Sequence, residues 1–341
     1  MSLIARVIGA AERAPLPDFV LTAGVDRLVA GAKGKHGAPD PAHDKAFAAD
    51  MVNHPIAAHP EEANRQHYEV PAAFFENVLG PRLKYSCSRF PNAQTSLADA
   101  EQIALSETID NAGLGDGQAI LELGCGWGSL TLEMAERFPN ASIVAVSNSS
   151  SQRDFILVRA AERGLSNLTV ITADMAEFDA GRRFDRIVSI EMFEHMSNWQ
   201  ALLARTRTWL ADDGRLFIHI FTNRGQSYRF DHTDPADWIA QHFFTGGIMP
   251  SEGLMKCFPD LYSVEAEWRW SGEDYAKTAR CWLELMDEND AQVRKVLAQT
   301  YGADAAVWRR RWRLFFLATE GLFGHDGGSV WGVTHYRLAP V

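Results

Sequence analysis

The sequence predicts an α/β fold: a parallel sheet with helices on both faces, preceded by a helical annex and followed by an aromatic lid. Three observations predict it. From Ser96 onward, short apolar runs alternate with helical patterns, as βα units require. A glycine-rich turn joins the first of those runs to its helix. Beyond Asn223 the alternation stops and tryptophan and phenylalanine crowd in. In chain order, residues 3–12 and 18–32 pattern as short amphipathic helices split by Pro15 and Pro17. Residues 31–43, with Gly34, Gly37, Pro39 and Pro41, read as a linker or exposed loop. Helical patterning resumes from Phe47 to Phe75, broken by Pro55, Pro60 and Pro71, which makes residues 1–94 the annex. The sheet-bearing core is expected over 95–222. It starts with a helix at 97–112, has strands at 119–123, 142–146, 168–172, 186–190 and 215–221, and has further helices at 129–138 and 151–163. Residues 223–341 are the expected lid. Strands near 264–270 and 330–338 flank two helices, roughly 273–299 and 304–322, and bring the chain back to complete the sheet's edge.

Composition narrows the function. With 46% hydrophobic and 23% charged residues, the 341-residue chain has the make-up of a folded globular protein. Against 33 basic residues stand 44 acidic ones, a net charge of −11 that repels phosphate backbones and anionic head groups. Nucleic acid is therefore excluded as a main partner. No run of about 18 apolar residues occurs, so no stable membrane insertion is expected. The first residues carry no secretory pattern, and a cytoplasmic location is the expectation. Cys87, Cys125, Cys257 and Cys281 are too scattered for a disulfide framework, and no HExxH or close Cys/His set calls for a metal. Nothing in the sequence sets the oligomeric state, and a homodimer is among the assemblies open to it.

The segment AILELGCGWGSL, residues 119–130, carries the most chemistry. Gly124, Gly126 and Gly128 follow a strand and precede a helix, so the backbone can turn sharply and approach a ligand closely. The spacing departs from the dinucleotide G-x-G-x-x-G, and the second strand ends in Ser147-Asn148 without an acid. Glu122, just before the turn, suits a cationic group such as the ammonium of S-adenosylmethionine better than a pyrophosphate.

Further along, VSNSSSQRDFI, ITADMAEF, FDRIVSIEMFEHM and FFTGGIMPS follow in order. With LELGCGWGSLTL they resemble the cyclopropane-fatty-acid synthase superfamily of class I methyltransferases, and most of all its coclaurine N-methyltransferase-like branch. The resemblance spans roughly residues 64–338. It implies a Rossmann-like seven-stranded sheet, S-adenosylmethionine as methyl donor and S-adenosylhomocysteine as product. By position, Gly124 and Gly126 would pass under the methionyl part and Glu122 would face its amino group. Asn148 and Gln152 would take the ribose, Asp174 and Met175 the adenine, and Tyr85 and Ser86 of KYSCSRF would close over the methionine end.

For the chemistry, Glu191, Glu194 and His195 follow the fourth strand, and an α-helix starting there would put all three on one face. Methyl transfer to an amine needs a neutral nitrogen, and a carboxylate with a histidine near pH 7 can provide one. The resemblance assigns these roles to Glu194 and His195, with Glu191 as a supporting acid. In lipid-modifying relatives an alkene attacks the methyl group and a bound bicarbonate takes the proton, held at positions matching Cys87, Glu194, His219 and Tyr275. All four residue types are present. The acceptor is thus an amine nitrogen of a small molecule, the preferred reading, or a fatty-acyl chain. The run WRRRWR at 308–313 is expected as a solvated helix face with its tryptophans inward. It is also the one basic patch suited to an anionic lipid, and a membrane-lying helix at 3–12 would separately favour the fatty-acyl reading.

Overall fold

The structure, a computed structural model, describes residues 9, 12, 14–58, 70–234 and 237–341. Strands β1 (Ala119–Leu123), β2 (Ser142–Ser147), β3 (Leu168–Thr172), β4 (Phe184–Ile190) and β5 (Leu210–Asn223) run parallel. A short ribbon of β6 (Tyr228–Arg229) and β7 (Ile248–Met249) stands apart. Strands β8 (Tyr262–Ser271) and β9 (Trp331–Pro340) close the edge antiparallel. The seven-stranded order is β3-β2-β1-β4-β5-β9-β8. That order reverses between β1 and β4, and ligands of such sheets bind at the carboxyl ends flanking the reversal. Glu122 and Glu191 stand at those two ends.

Local chemistry explains the elements. The helix Leu97–Ala112 starts at Ser96, whose hydroxyl caps the Asp99 N–H, and stops at Gly113 in the left-handed region, φ 66°. Ile120, Leu121 and Leu123 of β1 are buried, as a strand covered on both faces requires.

The expected linker at 31–43 is corrected. One helix runs from Asp18 to His36 and a second from Pro41 to Asp50, so only residues 37–40 lie between them. Gly31 and Gly34 face open space, and the helix absorbs them at about 1 kcal/mol each while Val25 and Val29 anchor it. Pro41 sits in the first turn, where its missing N–H costs nothing, and Asp40 caps the Ala42 and His43 N–H groups. The helix expected over 3–12 lies, apart from Gly9 and Glu12, outside the described residues. So does 59–69 of the pattern expected from Phe47 to Phe75, which elsewhere yields the end of the second helix, a single turn at Met51–Asn53 and a helix at Ala72–Val78.

Where two helices were expected over 273–299 and 304–322, the structure has three, Gly272–Glu288, Asp290–Tyr301 and Ala305–Gly324, with the first two broken at Asn289. A further short helix at Trp238–His242 was not anticipated. A helix at Trp199–Trp209, capped by Asn198, was not anticipated. Between lid and annex lies an aromatic core of Phe74, Phe75, Trp282, Trp312 and Phe316, each fully buried and each stabilising by roughly 1.5–3 kcal/mol.

Hydrogen bonds and ion pairs tie the N-terminal segment to the C-terminal one. Asp44, buried, accepts from the Ser227 hydroxyl at 2.8 Å and the Ser251 hydroxyl at 2.5 Å. Trp312 points inward as expected, whereas Trp308 is only half-buried, stacked on Tyr301, and the arginines beside them are not a free basic face. Arg309 pairs with Asp290, Arg311 with Glu12, and Arg313 with both Asp18 and Asp287. Among the described residues no helix is long and apolar enough to cross a membrane, and no cluster of His, Cys, Asp and Glu could hold a metal ion.

Candidate active site

The donor side is built on β1 and β2. Glu122 is 2% exposed, and its carboxylate accepts from the Thr131 hydroxyl at 2.5 Å. Burial pushes this carboxyl up to about 8, and the Thr131 hydrogen bond only partly opposes it. The turn beyond it needs glycine for three reasons. Gly124, at φ 81°, lies so close to the Met192 side chain that a Cβ would come within 2.8 Å of it. Gly128, at φ 83°, would drive a Cβ into Ile156 at 2.6 Å. Gly126, at φ 52°, faces open space, which is the surface a ligand would cross. The Trp127 indole N–H and the Ser129 hydroxyl are buried beside it with no hydrogen-bond partner among the described residues.

On β2's side, Ser149 caps the helix Ser150–Glu162. Gln152 accepts from the Ser147 hydroxyl at 2.6 Å through Oε1, so its amide N–H₂ is the group left to donate. Asp174 turns the chain after β3 by accepting from the Ala176 N–H at 2.8 Å.

All nine residues expected to hold the donor (Tyr85, Ser86, Glu122, Gly124, Gly126, Asn148, Gln152, Asp174 and Met175) line one cavity. The set fits S-adenosylmethionine: a buried carboxylate suited to its ammonium, an open glycine surface for the chain, and polar groups at the right end for a nucleoside.

The acceptor side is assembled from distant segments around Glu191. This residue follows β4 with φ 46°, a conformation costly for a non-glycine residue. Its carboxylate accepts three hydrogen bonds. The Cys87 N–H at 3.0 Å and His219 Nε2 at 3.3 Å donate to Oε1, and the Tyr275 hydroxyl at 2.6 Å donates to Oε2. Its own N–H donates to the His219 carbonyl at 2.8 Å. The buried Lys84 ammonium faces this carboxylate and is held by the Ser86 hydroxyl at 2.6 Å and the Cys87 carbonyl at 2.5 Å.

Glu194 is the opposite case. Both its oxygens are buried without a hydrogen-bond partner among the described residues. Burial and the neighbouring Glu191 charge raise its carboxyl well above the usual range. Burial also raises Glu191, but Lys84 and the donors around it resist that shift. His195 lies half-buried, its ring stacked on Phe244 at 5.0 Å. The acceptor wall is completed by Ala57, Met196, Phe315 and Tyr275.

Two expectations are corrected here. Residues 191–195 do not begin an α-helix, because only a single 3₁₀ turn forms at Phe193–His195 and the positive φ of Glu191 swings its carboxylate back toward β5. The residues matched to a bicarbonate cradle do come together, but around Glu191's carboxylate. Glu194 is not among the donors' partners, and Cys87 contributes its backbone N–H, while its thiol donates to the Ser88 carbonyl. Sequence reasoning missed Lys84 and Thr131. Lys84 precedes Tyr85 in KYSCSRF, where a long basic side chain among small residues was the available signal. Glu101 was missed as well. It accepts from the Arg82 N–H at 2.8 Å, anchors the segment carrying Lys84, and is pushed up to about 7 by burial.

Fold and cleft together define a class I S-adenosylmethionine-dependent methyltransferase. The sequence profile described as mycolic acid cyclopropane synthetase matches residues 57–331. The chain is 35% identical over 285 residues to (S)-coclaurine N-methyltransferase of Thalictrum flavum subsp. glaucum, an alignment covering 82% of this chain and 79% of that one. It is 27% identical over 266 residues to the cyclopropane-fatty-acyl-phospholipid synthase of Escherichia coli (strain K12), covering 74% and 66%. A crystal structure of coclaurine N-methyltransferase bound to N-methylheliamine and SAH superposes with a TM-score of 0.94 at 30% identity, covering 99% of each chain. The chain belongs to the mycolic acid cyclopropane synthetase family, and S-adenosylmethionine is its methyl donor.

Proposed function

We propose that the chain methylates an amine nitrogen of a small molecule carrying an aromatic ring. The observation that carries this reading is the Glu191 carboxylate. It takes the hydrogen bonds of Cys87, His219 and Tyr275, three of the four positions at which lipid-modifying relatives are expected to hold bicarbonate, the fourth being Glu194. A carboxylate built into the chain leaves those donors satisfied and puts a second anion there at a repulsive distance. Relatives named as N-methyltransferases of coclaurine and pavine support the same choice. Three of the four arginines of residues 309–313 (Arg309, Arg311 and Arg313) are already held in ion pairs, which weakens the case for a lipid surface.

The roles follow from position. Glu191 is the fixed negative charge that draws an ammonium into the cleft. Glu194, its basicity raised by burial and its oxygens without a hydrogen-bond partner among the described residues, takes the ammonium's proton and leaves a neutral nitrogen with its lone pair free. His195, half-buried at the same turn, passes that proton outward. Phe244, Phe315 and Tyr275 offer ring faces to an aromatic amine and exclude water from the reacting atoms. Glu122, the Gly124–Gly128 turn, Gln152 and Asp174 hold S-adenosylmethionine, which when bound supplies a methyl group on a sulfonium.

The test is mass spectrometry after incubation with a deuteriomethyl donor and a panel of tetrahydroisoquinoline-type amines, alongside unsaturated phospholipid. A product amine retaining three deuteriums is expected. A lipid product retaining two would overturn the amine reading.

A further inference from the structure

Behind Glu191 a line of hydrogen bonds leaves the cleft and crosses two strands. His219 Nε2 meets Glu191, and His219 Nδ1 meets His335 Nε2 at 2.8 Å. His335 Nδ1 meets the Asn111 amide nitrogen at 3.0 Å, on the helix Leu97–Ala112. The two histidines are register partners on β5 and β9, both fully buried, with Trp270 packed on both rings.

The donor inventory permits one proton order. Asn111's nitrogen only donates, so His335 Nδ1 accepts and its Nε2 carries the proton. His335 then donates to His219 Nδ1, which leaves His219 Nε2–H pointing at a carboxylate that only accepts. The order is the same when read from either end. The charged groups facing the two rings are Lys84, Arg89 and Glu191, and burial together with the cations keeps both imidazoles neutral.

We propose that Asn111 and His335 are positioning residues: acting through His219, they impose the tautomer that donates to Glu191 and so fix where that carboxylate points. Neither touches the cleft. The proposal rests on Glu191 serving the chemistry as described above, but its tautomer readout does not depend on which acceptor is used.

The experiment uses full-length protein labelled with ¹⁵N-histidine. Both His219 and His335 are expected as Nε2–H tautomers, and either ring found as Nδ1–H in the unmutated protein overturns the proposal. Asn111→Asp replaces the terminal donor with an acceptor and should switch His335 to Nδ1–H, whereas an unchanged His335 signal contradicts it.

Kinetics then separates positioning from packing. His335→Gln keeps an amide nitrogen for His219 and an amide oxygen for Asn111, and should retain most of kcat. His335→Leu fills similar space without either and should lose roughly 10–100-fold in kcat, the usual cost of an outer partner, with the KM for donor little moved. Equal kcat in the two variants, both melting as the parent does, overturns it. Expected tautomers with no amine methylated would leave this chain of bonds standing and sink only the acceptor reading.

Discussion

The two halves of the cleft are built in opposite ways. The donor half is mostly local: Glu122, Gly124, Gly126 and Thr131 fall within one strand–turn–helix unit, and Gln152 follows one strand later. The acceptor half draws Cys87, Glu191, His219 and Tyr275 from a loop, the end of β4, the body of β5 and the helix Gly272–Glu288. The electrostatics differ as well. Among the described residues Glu122 has a single hydroxyl partner, which in the proposed reading leaves it to be satisfied by the ligand's ammonium, whereas Glu191 has its full set of partners within the chain. A site can thus leave a buried carboxylate for a ligand to satisfy or satisfy it internally, and in this fold the donor side does the first and the acceptor side the second.

Separate mutations should separate the halves. The largest effect is expected from Gly126→Val, which strains a φ of 52° and fills the open surface under the ligand. Calorimetry should detect no donor binding, and unchanged affinity would misplace the donor. Next, His195→Ala should lower kcat by roughly 10²–10⁴-fold, as loss of a proton-transfer group does, with donor affinity preserved. A loss confined to donor affinity would move His195 to the other half.

Smaller effects sharpen the donor side. Gln152→Ala should weaken donor binding by about 1–2 kcal/mol, the worth of hydrogen bonds to a buried hydroxyl, and leave kcat at saturation nearly intact. A fall in kcat with unaltered affinity would reassign Gln152 to the chemistry. Glu122 gives the donor half a pH signature. Its carboxyl titrates near 8 in the free protein and must be ionised to hold an ammonium, so binding below that pH releases a proton. Affinity should rise by up to roughly tenfold per unit toward pH 8, then decline as the ligand's own amino group loses its proton near 7.7–8.0. Glu122→Gln should flatten the rising limb, and a parent affinity independent of pH would contradict the assignment. Smallest of all is Cys87→Ser: the thiol faces the Ser88 carbonyl and only the backbone N–H reaches Glu191, so kcat should change less than about twofold.

The same contrast explains what the sequence made legible. Strands β1 to β4 announced themselves as short apolar runs between helical patterns, and the helix Leu97–Ala112 was readable from Ser96 to its closing glycine. The loop expected at 31–43 failed because glycine and proline were read as breakers, while Gly31 and Gly34 sit on a free face and Pro41 in a first turn. At the site, every donor residue predicted from the sequence lines the cavity. Glu122, the glycines and the Glu191–Glu194–His195 cluster were readable from the residues themselves. Tyr85, Ser86, Asn148, Gln152, Asp174 and Met175 on the donor side and Cys87, His219 and Tyr275 on the acceptor side were named only through a family resemblance, and the central place of Glu191 was not readable. No periodicity encodes a positive φ at residue 191, and nothing local relates Lys84 or Tyr275 to it across the chain.

The central claim is that Glu191 stands where a proton-accepting bicarbonate would otherwise be held, so that amine methylation proceeds without one. Turnover of the unmutated enzyme, measured with a saturating amine in carbon-dioxide-stripped buffer and again after adding bicarbonate, tests it most directly. The account predicts the same rate in both. A rate that collapses on stripping and returns with bicarbonate would contradict it.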